Sequence, residues 1–172
     1  MTNCRSAAVA GCLDALEQCE TLVRSLEPGC YARPIGTRSG IGPHLRHCLD
    51  HFDAFVMGIP GGIVDYDDRE RDQRLELDPD FALAKLADLH EALNQLCDSD
   101  MRHPLTVLQV PAPGRDKAHV PSNVERELLF LMSHTIHHLA LMKLLAEMQG
   151  TQLPTDLGVA YSTIAHQQST HH

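Results

Sequence analysis

Histidine is the residue type in this chain whose number and spacing point to chemistry. Of twelve histidines, six fall in two clusters: His44, His47 and His51, then His134, His137 and His138. In a helix, positions i and i+4 differ by only ~40° around the axis and one turn along it. His134 and His138 therefore project side by side, the arrangement that lets two imidazoles hold one metal ion. The zinc-protease pattern H-E-x-x-H shares this geometry, but its glutamate is absent here, so a zincin is not supported. His137 lies ~60° to the other side of His134 and can orient a ligand or point elsewhere. His44, His47 and His51 fall within an arc of ~60° on their own helix. If that margin faces the later helix across a core, any of the three can supply a third ligand. Three neutral imidazoles suit zinc, nickel, iron or cobalt, with a coordination position left open for chemistry.

The elements that must position these residues are helical. Four segments show three- and four-residue apolar periodicity, over roughly residues 5–26, 40–59, 79–97 and 123–149. Pro28-Gly29 ends the first and Pro60-Gly61-Gly62 the second. Ser39 is the expected N-cap of the second helix, and Asp78 that of the third, with Pro79 at the first helical position. Ser122 and Glu125 form the capping-box pattern ahead of the fourth. That helix is apolar on most sides, so its imidazoles need hydrogen-bond partners or a metal. The links are long. Residues 60–78 carry the charged run Asp65-Tyr66-Asp67-Asp68-Arg69-Glu70-Arg71-Asp72 and read as a solvated crossover. Residues 105–110 followed by Pro111-Ala112-Pro113-Gly114 read as a short strand and turn. The expected fold is all-α: one four-helix-bundle domain over residues 1–172, with crossover links and one short strand or hairpin before the last long helix.

Composition narrows the function. With 172 residues, 43% apolar and 22% charged, the chain is globular rather than disordered. A formal charge of −9 is the wrong sign for a surface that neutralises phosphates, so neither nucleic acid nor an anionic membrane is an expected partner. No uninterrupted apolar run reaches the ~18–20 residues of a bilayer span. Aromatic residues are only 4%, without Trp, so base-stacking platforms are not expected either. None of the six cysteines forms C-x-x-C, and no secretory signal pattern opens the sequence; free buried thiols in a cytoplasmic protein are the expectation.

The stretch Ser39-Gly40-Ile41-Gly42-Pro43-His44-Leu45-Arg46-His47-Cys48-Leu49-Asp50, followed by His134-Thr135-Ile136-His137-His138, resembles the DinB-like (YfiT-like) superfamily. The resemblance spans helices two to four. It implies a four-helix bundle with a three-histidine metal site, one ligand from the second helix and an H-x-x-x-H pair from the last. By that resemblance His47, His134 and His138 are the ligands of a divalent ion, zinc or nickel first, with iron, cobalt or manganese also accommodated. Characterised relatives include transferases and isomerases that use bacillithiol, mycothiol or glutathione. Other members carry the description of metal-dependent hydrolases, and similar domains occur in sulfoxide synthases of thiol-histidine biosynthesis. The implied partner is a small molecule, such as a low-molecular-weight thiol, and the implied assembly a homodimer. Asp65 to Arg71 and Leu157 to Thr163 resemble a subgroup pattern to which no chemistry attaches.

Further residues are candidates by position. Glu127, seven residues before His134, shares its face and can serve as general base or as a hydrogen-bond acceptor that orients a ligand. Asp50 can orient a ligand histidine. Arg69 and Arg71 can bind a substrate carboxylate, and Cys48 lies beside His47. His90, His103, His119 and His166 receive no role. Two other readings compete. One is a non-catalytic helical module that keeps its imidazoles for packing or binds a partner. The other is a di-iron or O2-binding bundle, for which the required E-x-x-H is missing.

Overall fold

The computed structural model describes residues 6–36 and 39–170; Cys4, His171 and His172 lie outside them. Four long helices form where the periodicity places them: α1 (Ala7–Ser25), α2 (Ile41–Gly58), α4 (Pro79–Asn94) and α5 (Val124–Met148), with the short α3 (Arg74–Leu77) before α4 and α6 (Tyr161–Thr170) after α5. Asp78 caps α4 as expected, its side chain accepting from the amides of Asp80 and Phe81. Two expected caps differ. Gly40, not Ser39, precedes α2, without a side-chain cap bond. Asn123, not Ser122, caps α5 by accepting from the Arg126 amide, because Ser122 is drawn into a bond with a buried carboxylate instead.

The fold is mostly helical, and its strands go beyond the single strand or hairpin expected beside the four helices. A three-stranded sheet closes one end, with β1 (Ile63–Asp65) parallel to β2 (Pro104–Gln109), and β2 antiparallel to β3 (Ala118–Asn123). The hairpin β2–β3 is the strand and turn expected before the last long helix. β1 lies inside the charged link read as solvated crossover. Three residues are too few to show alternation, and the pairing comes from a strand forty residues later.

One core joins these elements. α5 packs on α1 and α2, and α4 packs on the same two helices from the other side. Cys12, Leu16, Leu22, Leu45, Phe52, Leu128, Leu139 and Met142 are buried at their meeting. By length and composition α5 could cross a membrane; here it lines the core and presents Glu127, His134 and His138 from its inner faces. α2 and α3 approach closely at Gly42, whose amide donates to the Tyr31 carbonyl at 3.0 Å. The Tyr31 hydroxyl in turn donates to the Leu75 carbonyl at 2.5 Å. A Cβ at Gly42 would collide with the Glu76 carbonyl, and backbone cannot yield as a flexible side chain does. Gly42→Ala is therefore expected to cost about 2 kcal/mol or more, read as a lower urea midpoint with unchanged m.

Candidate metal centre

The packing of α2 on α5 brings the two histidine clusters together. His47 and His134 meet with their Nε2 atoms 2.9 Å apart. His51, His47 and His134 each offer a ring nitrogen within 4.8 Å of the others. A tetrahedral zinc with Zn–N bonds of ~2.0–2.1 Å keeps its nitrogens ~3.3 Å apart, so the three lie within a small adjustment of a coordination set. His138 is adjacent, with ring centroids 4.7 Å from His47 and 4.6 Å from His134. Its Nδ1 faces that of His44 at 3.2 Å. The tightest group therefore contains His51 beside His47 and His134, while His138 and His44 flank it. His137 is exposed and turns toward a groove shared with Met132 and Tyr161.

The electrostatics suit a cation. Desolvation, reinforced by neighbouring imidazoles and Arg69, pushes His47 down to about 3. Burial likewise lowers His51, His134 and His138 to about 4, and it lowers His44. All five rings are neutral at physiological pH, with lone pairs available, and no carboxylate belongs to the group among the described residues. A neutral, nitrogen-only donor set fits a borderline divalent ion of the zinc or nickel kind.

One residue stands against immediate occupancy. Arg69, from the charged link after β1, places Nη1 3.1 Å from His47 Nδ1 and 3.0 Å from His51 Nδ1. The guanidinium can only donate, so His47 Nδ1 accepts and its proton sits on Nε2, facing His134. His51 Nδ1 also lies 2.7 Å from the His47 carbonyl, to which it donates, so its contact with Arg69 sets donor against donor. Ligation through His47 Nε2 would move the proton to Nδ1 and make that contact repulsive as well. Arg69 thus favours the His47 tautomer whose proton sits on Nε2, while His51, donating from Nδ1, keeps its Nε2 free.

The other sequence candidates fall elsewhere. Glu127 is fully buried, but it accepts from Tyr66 Oη at 2.8 Å, Ser122 Oγ at 2.5 Å and Arg126 Nη1 at 2.8 Å. Through one of these bonds it fixes Tyr66, whose ring stacks on His51 at 5.3 Å. Asp50 pairs with Arg46 at 2.7 Å rather than with a histidine. Arg71 is exposed and bonds the Asp67 carbonyl. Burial pushes the Cys48 thiol up to about 12, so it stays protonated as an apolar core group. Tyr66 and Phe130, which stacks on His134 at 5.5 Å, complete the aromatic walls. Neither stood out in the sequence, although an aromatic side chain inside a run of charges was the signal for Tyr66.

The family model of the DinB superfamily matches residues 14–142, a span that contains every histidine of this group. The chain belongs to the DinB superfamily. The superfamily is a metal-binding one, and the three-histidine group agrees with that. Among solved structures, a DinB-like protein from Bacillus subtilis, YjoA, superposes with a TM-score of 0.62 at 20% identity, over 88% of this chain and 99% of that one. At that identity the likeness shows the DinB-like fold. No curated protein matches the sequence.

Two expectations follow for this DinB-superfamily site. The histidines have folded-state pKa values below the ordinary 6.5, so below that pH the unfolded chain binds more protons than the folded one. Stability is full above about pH 6.5 and falls as the pH drops toward about 4. Urea midpoints measured across that window with chelator present should show the fall, and His51→Asn with His134→Asn should flatten it. Separately, Arg69→Gln should tighten zinc binding about tenfold, the order expected on removing a like charge a few ångströms away in a partly screened site; competition with a zinc-chelating dye reads the change.

Proposed function

We propose that this protein is a mononuclear metal-dependent enzyme, a thiol-dependent transferase or isomerase, with hydrolysis as the alternative reaction. The observation that carries the reading is the convergence of His47, His51 and His134, uncharged and without a carboxylate, between two helices of the core. A divalent cation there would supply charge that lowers the pKa of a thiol or water at its open side. The chain's own residues provide the rest. The His47 carbonyl accepts from His51 Nδ1 and so aims the other ring nitrogen. Tyr66, held by Glu127, and Phe130 pack their rings against His51 and His134. In a partly desolvated site the field of a held ion acts on the reacting group with less screening than in water.

The short distances among His47, His51 and His134 support His51 as the third ligand, whereas the helical pair with His134 favours His138, whose ring is as near to His134 as that of His51. Elemental analysis of protein loaded with zinc or nickel and then desalted should give about one ion per chain. His47→Ala and His134→Ala should each abolish it under either assignment. His51→Ala should also lose the ion if the gathered set is correct, and His138→Ala should then retain it; the reverse result assigns His138. A wild-type chain that folds and takes up no divalent ion refutes the metal-dependent reading.

A further inference from the structure

α5 is the most apolar of the long helices, yet less than half of its most apolar stretch is buried inside the molecule. Four of its large apolar side chains stand in solvent: Leu129 and Leu144 at 48% exposure, Met148 at 56% and Leu141 at 37%. Leu129, Ser133, His137, Ala140, Leu144 and Met148 follow at steps of three and four residues, so they share an arc of ~100°, and all six are exposed. The outer faces of α1 and α4 differ. α1 shows solvent Asp14, Glu17, Thr21 and Arg24, and α4 shows it Asp80, Asp88 and Glu91. Tyr161 and Ser162, at the start of α6, border Ser133 and Ala140 across a groove and leave the apolar stripe exposed. The ends of the stripe carry opposite charges on the same arc. Arg126, in the first turn, has a side chain 63% exposed and donates to Glu127 through Nη1. Glu147, in the last turn, makes no ion pair among the described residues. Lys143, four residues before it, turns away to the carbonyls of Pro154 and Thr155. Each of the two charges sits at the end of α5 where the helix dipole disfavours it, so the helix itself does not account for them.

We propose that the outer face of α5 is the interface of a two-fold homodimer, in which α5 packs antiparallel on α5 of a second copy. With the dyad between Ile136 and His137, Arg126 of each chain faces the partner's Glu147, Leu129 faces the partner's Leu144, and Ser133 faces the partner's Ala140. One two-fold operation satisfies all three pairs. The small pair beside the dyad lets the helix axes approach to ~8 Å, and the leucines fill the flanks. The two ion pairs at the ends set direction and register more than they add affinity. Each charge also meets the end of the partner's helix whose dipole favours it. A parallel copy would instead set Arg126 on Arg126 and Glu147 on Glu147. The formal charge of −9 and the place of Glu147 on the face oppose an anionic lipid surface as the occupant. A helix of 25 residues is ~37 Å long. A strip of that length and one helix width falls short of the ~800 Å² per partner of a standard interface, which places the dimer in the weak, micromolar class. The inference is independent of the metal-dependent reading.

Sedimentation equilibrium of the full chain should show a monomer–dimer equilibrium with a Kd of roughly 1–100 μM. Leu144→Glu and Leu129→Lys, both at exposed positions, should each weaken it about tenfold or more with far-UV circular dichroism unchanged, because each sets a charge against the partner's leucine. Combined in one chain, the two substitutions face each other across the dyad. The dimer should then return, with a stronger dependence on salt than wild type. Glu147→Arg opposes Arg126 with a like charge and should weaken association roughly fivefold; it is the test variant should a leucine variant lose its circular dichroism. A wild type that stays monomeric to millimolar concentration overturns the proposal. So does a dimer untouched by Leu144→Glu, or a double variant no more associated than the single ones. A monomer that cosediments with phosphatidylcholine vesicles overturns it in favour of a lipid surface.

Discussion

The constraint on which the rest depends is the burial of imidazoles between α2 and α5. Desolvation makes protonation of any one ring costly, and each neighbouring ring raises that cost. Charge leaves the rings at neutral pH and lone pairs remain. The site is thus a place where the fold gives up acid stability to keep a set of nitrogen donors close and partly desolvated.

Around that set, the short sheet acts as a bracket. Parallel pairing of β1 with β2 fixes the start of the charged link. Tyr66 is then clamped by Glu127, which also accepts from Ser122 at the end of β3. The same turn carries Arg69 over the imidazoles, and Asp65 stabilises it by accepting from the amides of Asp67 and Asp68. A buried carboxylate on α5, a strand pair and a surface link are therefore one device. Glu127 reaches the histidines through Tyr66.

Membership of the DinB superfamily and the histidine group are consistent with each other without either fixing a reaction. A shared fold carries many chemistries, and at 20% identity YjoA speaks for the fold. Around the histidines of this chain stand Arg69, the aromatic rings of Tyr66 and Phe130, and beyond Arg69 a cavity lined by acids and bases.

Much of the frame was legible in the sequence. Four long helices, the Asp78 cap and the hairpin before α5 follow from local periodicity and turn chemistry, which act within a few residues. The histidine clusters were legible for the same reason, because helical spacing places i and i+4 on one face. Tertiary structure decided the rest. Which nitrogens converge depends on the rotation of α2 against α5, so His51 joined His47 and His134 while His138 turned partly to His44. Asp50 with Arg46 and Ser122 with Glu127 are local pairs, within reach along one helix or across a helix start. Arg69 instead went to the imidazoles, some twenty residues away, and His47 met His134, eighty-seven residues away; no local pattern encodes those partners, and only the folded chain sets their distances.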